Sequence, residues 1–266
     1  MSNMDEGLKH LITKGVVYDL GQPLYPGIPH HPLHPPFGYV MARQHGDVIF
    51  KEGASSANDL FTLGGHTGTH LDAVGHISQD GKLFGGVDAK SVQDWRYGLG
   101  QCGINETAPI VARAVLFDVP GWKRVDVLDK GQAISGEDLE KTLGWEGQEI
   151  KQGDVALIRT GWGKYWDDPE SFNSHEGTPG INLDAAQFLV EKGVRFVAAD
   201  TTACEVVPSQ TMEVHSFLLA QNGVQIMEML NLEVLAKEKA YASFFVAIPL
   251  PISGASGSPI RPIAIV

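Results

Sequence analysis

The segment Gly64-Gly65-His66-Thr67-Gly68-Thr69-His70-Leu71-Asp72-Ala73-Val74-Gly75-His76 constrains this chain more than any other. It places three histidines and an aspartate within eleven residues. Neutral imidazole and carboxylate are good ligands for zinc and manganese. Gly64, Gly65, Gly68 and Gly75 let the backbone curl tightly enough for several side chains to converge. His66 and His70 are four apart, as on a helix, but the glycines and threonines disfavour a regular helix. The expectation is therefore a curved loop that follows a strand. His70 and Asp72 are two apart, so in extended chain they share a side. A lone histidine in a loop is usually satisfied by backbone hydrogen bonds. A loop has no such need for this density of ligand-type residues.

The rest of the chain limits what such a cluster can serve. At 266 residues it suits one large or two small domains, and it is read as a single domain spanning 1–266. Hydrophobic residues make up 43%, enough for a sizeable core. The net charge is −12 with no basic run, so nucleic acid and anionic membrane are excluded as partners and a small-molecule substrate is expected. Cys102 and Cys204 form no C-x-x-C pattern, and no disulfide framework is expected. Residues 1–15 are too charged for a secretory signal, and no apolar run reaches the roughly 18 residues that span a bilayer. These features point to the cytoplasm.

Short strands and helices alternate along the chain. Strands are expected at 16–20, 58–63, 112–117, 154–159, 194–199, 224–229 and 241–249. Residues 21–36, with six prolines and three histidines, read as loop. Ser135 is a candidate N-cap for a helix over 136–143, and Asn182 for one over 183–192 that stops at Gly193. A further helix is expected over 212–222. Residues 253–262 read as a Gly, Ser and Pro-rich tail. The mixture argues for a mixed α/β domain. His30, His31 and His34 are treated as solvated loop residues, with the alternative that one of them reaches the site, and Cys204 as core.

The 64–76 segment resembles the H-x-G-T-H-x-D-x-P-x-H signature of the cyclase family of metal-dependent hydrolases, which includes bacterial kynurenine formamidase and isatin hydrolase. His66, Gly68, Thr69, His70, Asp72 and His76 match, and Val74 replaces the proline. The order of further segments extends the resemblance: Tyr18-Asp19-Leu20, Arg159-Thr160-Gly161-Trp162, Ala199-Asp200-Thr201, and His215 through Gly223 to Glu228 and Leu230.

The resemblance implies His66, His70 and Asp72 as metal ligands, with His215 and Glu228 completing the set, and His76 as the catalytic or supporting base. Zn2+ or Mn2+ is implied, as one or two ions. From the residues alone, His215 can instead bond locally on its helix. Glu228 lies among Met227, Met229 and Leu230, where a charge needs a partner. Trp162, Tyr165 and Trp166 suit either a planar substrate or the core. The implied fold is a layered β/β/α domain, of swivelling type, around a barrel-like mixed sheet, assembled as a homo-oligomer (dimer or tetramer). The implied activity is hydrolysis of an amide or cyclic amide or lactone bond in a small aromatic substrate. Open alternatives are lactone hydrolysis or cyclisation of a non-aromatic substrate, and metal binding without catalysis.

Overall fold

A computed structural model describes residues 6–266. The first five residues of the charged N-terminal stretch lie outside them. Nine strands form one mixed sheet: β1 (Val17–Asp19), β2 (His70–Asp72), β3 (Ile110–Asp118), β4 (Val155–Arg159), β5 (Phe196–Ala199), β6 (Gln225–Glu228), β7 (Ala242–Ala247), β8 (Gly257–Pro259) and β9 (Ile263–Ile265). Their spatial order is β1-β9-β7-β3-β4-β5-β6-β2-β8. The sheet curls strongly into a half-barrel, the form taken by the expected barrel-like mixed sheet.

The four central strands, β3 to β6, run parallel. Parallel strands are covered on both faces, which is why these read as near-continuous apolar runs. Every residue of β4, β5 and β6 is buried. Their side chains alternate between two cores. Ala156, Ile158, Val197 and Ile226 join the cluster under the helices, whereas Leu157, Ala198 and Met227 join Leu71 and Phe245 on the other face. Two helices cover the first core, Gly136–Glu146 and Leu183–Glu191, and both begin as expected. Ser135 and Asp138 form a reciprocal capping box, and Asn182 accepts from the Ala185 amide.

Three local expectations change. The helix expected over 212–222 is a single α-turn, Glu213–His215, followed by a π-helical segment, Ser216–Gln221. Residues 58–62 do form a strand, but it pairs with Gly38–Arg43 in an exposed ribbon outside the main sheet. The tail expected over 253–262 contributes β8, which pairs with β2.

Candidate metal centre

The signature segment straddles a loop and a strand. His66 lies in the tight turn before β2, and His70 and Asp72 lie on β2 itself. Leu71 enters the second core, so alternation sends His70 and Asp72 to the opposite face. β6 runs antiparallel to β2 and sets Glu228 directly across from His70. Met227 enters the second core beside Leu71, so Glu228 faces the same way as His70. Two residues far apart in the chain thus become cross-strand neighbours.

Gly68 makes the turn possible. Its φ is +60°, and a Cβ there would run into the Leu24 side chain. Its carbonyl accepts a hydrogen bond from His70 Nδ1 at 2.7 Å. That fixes the tautomer and leaves Nε2 unprotonated in the neutral ring. Thr69 Oγ1 donates to the Met229 carbonyl at 2.7 Å and accepts from the Gln22 amide at 2.9 Å, tying the turn to the end of β6 and to the proline-rich loop. Gln225 Nε2 donates to the Asp72 carbonyl at 2.8 Å.

His70 Nε2 lies 3.4 Å from Asp72 Oδ1 and 3.3 Å from Glu228 Oε2. His66 Nδ1 is 2.6 Å from Asp72 Oδ1, and its Nε2 is 2.9 Å from Ser256 Oγ. The His66 and His76 ring centroids are 4.0 Å apart. His215 Nε2 lies 3.2 Å from Glu228 Oε1. The structure therefore brings all six expected residues together: His66, His70, Asp72, His76, His215 and Glu228. Two ligand groups share Asp72, namely His66–Asp72–His76 and His70–Asp72–Glu228, each with its atoms within 4.8 Å of one another.

These groups fit a divalent cation. Asp72 Oδ2 and His70 Nε2 are buried atoms with no hydrogen-bond partner among the described residues, and such atoms are costly unless something binds them. The protonation pattern agrees. Burial opposes a charged imidazole, yet the nearby carboxylates of Asp72 and Glu228 push His70 up to about 10. Burial is likewise outweighed at His215, where Glu205 and Glu228 push it up to about 10. Burial raises Glu228, but His215 and His70 hold it below the usual carboxylate range. The carboxylates thus draw positive charge into a place where water is excluded. His76 behaves differently: burial takes it down to about 4, so it is a neutral imidazole at physiological pH.

The proline-rich loop departs from expectation. His31 and His34 are half-buried rather than solvated, and the His34 ring centroid lies 4.9 Å from that of His66 and 6.3 Å from that of His76. The loop is anchored because its apolar residues have a cover. Ile28 packs with Trp162, Trp166, Phe172 and Met229. Trp166 Nε1 donates to the Pro23 carbonyl and Trp162 Nε1 to the Phe172 carbonyl. Trp162 and Trp166 are therefore core residues by burial, with their polar handles already used. Tyr165 is half-buried and lines, with Trp162, a cavity of about 780 Å³ whose wall holds none of the six cluster residues.

Glu205 escaped the sequence reading. It is buried and bonds His215 through Oε2. Its only sequence signal is an acid set beside Cys204 and Val206 just past a buried strand. Cys204 is fully buried, and burial pushes its thiol well up, as suits a core residue.

Comparison with known proteins agrees with this geometry. The Cyclase family model matches residues 18–206. A kynurenine formamidase from Bacillus cereus is 28% identical over 245 residues, covering 91% of this chain and 94% of that protein. Among solved structures, one described as a novel cyclase superposes with a TM-score of 0.88 at 30% identity, covering 98% of this chain and 90% of that one. Isatin hydrolase A from Ralstonia solanacearum gives a TM-score of 0.77 at 26% identity, covering 100% and 99%. The match over most of the chain, with the signature residues gathered at one buried point, shows that this chain belongs to the Cyclase family.

Proposed function

We propose that this chain is a metal-dependent hydrolase that opens a non-peptide amide or cyclic amide C–N bond in a small aromatic molecule. The observation that carries the reading is the convergence of His70, Asp72 and Glu228, with His70 Nε2 and Asp72 Oδ2 unpartnered, beside the neutral imidazole of His76. The similarity to a kynurenine formamidase and an isatin hydrolase supports the bond type and the aromatic substrate.

His70, Asp72 and Glu228 would hold the cation, with His66 and His215 completing the set. Zn2+ and Mn2+ both suit this mixture of imidazole and carboxylate. When bound, such a cation polarises a carbonyl and acidifies water. An ion on His70, Asp72 and Glu228 leaves the His76 imidazole free of it. His76, neutral at physiological pH, is suited to take a proton from the attacking water and deliver it to the departing nitrogen. The products are a carboxylic acid and an amine. Trp162 and Trp166 hold the proline-rich loop, and Tyr165 lines a cavity apart from the ligand cluster.

We read the protein as a cytoplasmic homo-oligomer. No helix among the described residues is long and apolar enough to cross a membrane. The ribbon leaves Tyr39, Val40, Leu60 and Phe61 exposed, which favours self-association. Light scattering on the purified protein checks this.

Acid release in a pH-stat, with isatin and N-formylkynurenine, added Mn2+ or Zn2+, and chelated controls, tests the activity. Metal-dependent release on either substrate is expected. Protein shown to hold metal that releases no acid from these or other aryl amides would overturn the reading.

A further inference from the structure

The edge strand β8 builds a seat for the His66 ring. β8 pairs with β2 and sets Gly257 opposite Asp72. The residue before it is held in place too, because the Ser256 carbonyl accepts from the Ala73 amide at 2.9 Å. The Ser256 hydroxyl then meets His66 Nε2 at 2.9 Å. Gly257 supplies the floor under the ring. A Cβ on Gly257 would lie 2.7 Å from His66 Cε1 and 3.0 Å from Nδ1, closer than packed atoms tolerate. The ring therefore lies against bare backbone and has a hydroxyl at its far nitrogen.

The two ring nitrogens face different partners. Nδ1 lies 2.6 Å from Asp72 Oδ1, on the carboxylate shared by both ligand groups. Nε2 faces Ser256. In a neutral imidazole one nitrogen carries the proton and the other a lone pair. A hydroxyl oxygen accepts as readily as it donates, so Ser256 can accept from Nε2–H and leave the Nδ1 lone pair beside Asp72. A histidine that binds a cation commonly donates its other N–H to an oxygen, which fixes the tautomer and the ring orientation.

His70 and His215 have the reverse arrangement. His70 Nδ1 is tied to the Gly68 carbonyl and His215 Nδ1 to Glu205. Their Nε2 atoms face Glu228, at 3.3 and 3.2 Å. Each of the three rings thus has one nitrogen anchored by an oxygen outside the ligand groups and one turned toward a carboxylate inside them.

We propose that Ser256 and Gly257 are positioning residues for His66, and that they make Nδ1 its metal-binding nitrogen, whereas His70 binds through Nε2. The proposal rests on the metal-dependent reading and adds to it a support drawn from 190 residues along the chain.

The test loads protein carrying nitrogen-labelled histidine with a spin-active isotope of Cd2+, a spectroscopically visible stand-in for Zn2+. Nuclear magnetic resonance reads which ring nitrogens couple to the cadmium, and the His66 signals are identified by their loss in His66→Gln. Coupling is expected at His66 Nδ1 and at His70 Nε2. Calorimetry with Zn2+ reads the support itself. Ser256→Ala should weaken binding about tenfold, as loss of a partner behind a ligand histidine does elsewhere, and Ser256→Thr should restore it. Gly257→Ala, which sets a methyl group where the ring lies, should weaken binding at least as much. Absence of coupling at His66 Nδ1, or equal Zn2+ affinity in wild type and Ser256→Ala, would overturn the proposal and leave the metal reading intact. Wild-type protein that takes up neither cation would overturn both.

Discussion

Glu205 grips His215 twice: its Oε2 accepts from the backbone N–H at 3.0 Å and from ring Nδ1 at 2.8 Å. The ring is thereby fixed in rotation and tautomer, with Nε2 turned toward Glu228. A carboxylate behind a histidine in this way orients it and raises its basicity as a ligand.

Glu205→Ala should therefore weaken Mn2+ or Zn2+ binding about tenfold or more, as loss of such partners does elsewhere. Glu205→Gln keeps an acceptor for Nδ1–H and should lose less. Metal titration by calorimetry reads both variants directly. Equal affinity in wild type and Glu205→Ala would show that His215 needs no such support.

Removing ligands and removing the proposed base should give different phenotypes. His70→Ala and Asp72→Ala are expected to lose metal and activity together. His76→Ala should keep metal on His70, Asp72 and Glu228 while turnover falls about a hundredfold, a usual loss for a general base. Metal content by plasma emission, measured beside kcat, separates the cases. Loss of all metal from His76→Ala would make His76 a ligand instead.

Metal binding should release protons. Without a cation, His70 and His215 are each held up to about 10, so both rings carry a proton at neutral pH. A cation taking His70 Nε2 must displace its proton, so about one proton or more leaves per binding event. Apparent affinity should then rise with pH, about tenfold per unit for each proton released, until pH approaches 10. Calorimetry in buffers of different ionisation enthalpy counts these protons. Binding without proton release would contradict the charge balance described for the site.

Away from the site, Glu146 should make stability pH-dependent. Its Oε1 accepts from the Asp118 amide at 2.7 Å, while Oε2 is buried without a partner among the described residues. Burial pushes this carboxyl up to about 8. The folded protein keeps a proton that the unfolded chain sheds above its ordinary value, so folding binds protons in that window. The favourable contribution is complete below the ordinary carboxylate range and is lost as pH rises to about 8. Glu146→Gln mimics the protonated form. It should raise Tm by several degrees near pH 8 and little near pH 5 in thermal melts. Parallel pH profiles for the two proteins would show that Glu146 is not the group responsible.

Local chemistry alone determined much of this protein. Ser135 and Asn182 cap their helices where the sequence places them, because a cap needs only residues three positions apart. The apolar runs of β4 and β5 announced strands, and their parallel pairing came only with the sheet. Within the signature a curved loop was expected, yet 70–72 is a strand, and the spacing of His70 and Asp72 then puts both on one side, since alternation is a property of extended chain itself. Other features depend on pairing across the fold. The helix expected over 212–222 gave way to a π-helical segment, and the Gly-rich tail became the edge strand that closes on β2. His31 and His34 looked solvated because nothing in their own loop shows that Trp166 will bind the Pro23 carbonyl and draw that loop against His66. Glu205 and His215 are ten residues apart, with no periodicity linking them. The cross-strand match of His70 to Glu228 is a matter of register. Register is set by which side chains the two cores bury, and that is decided only when the whole sheet closes.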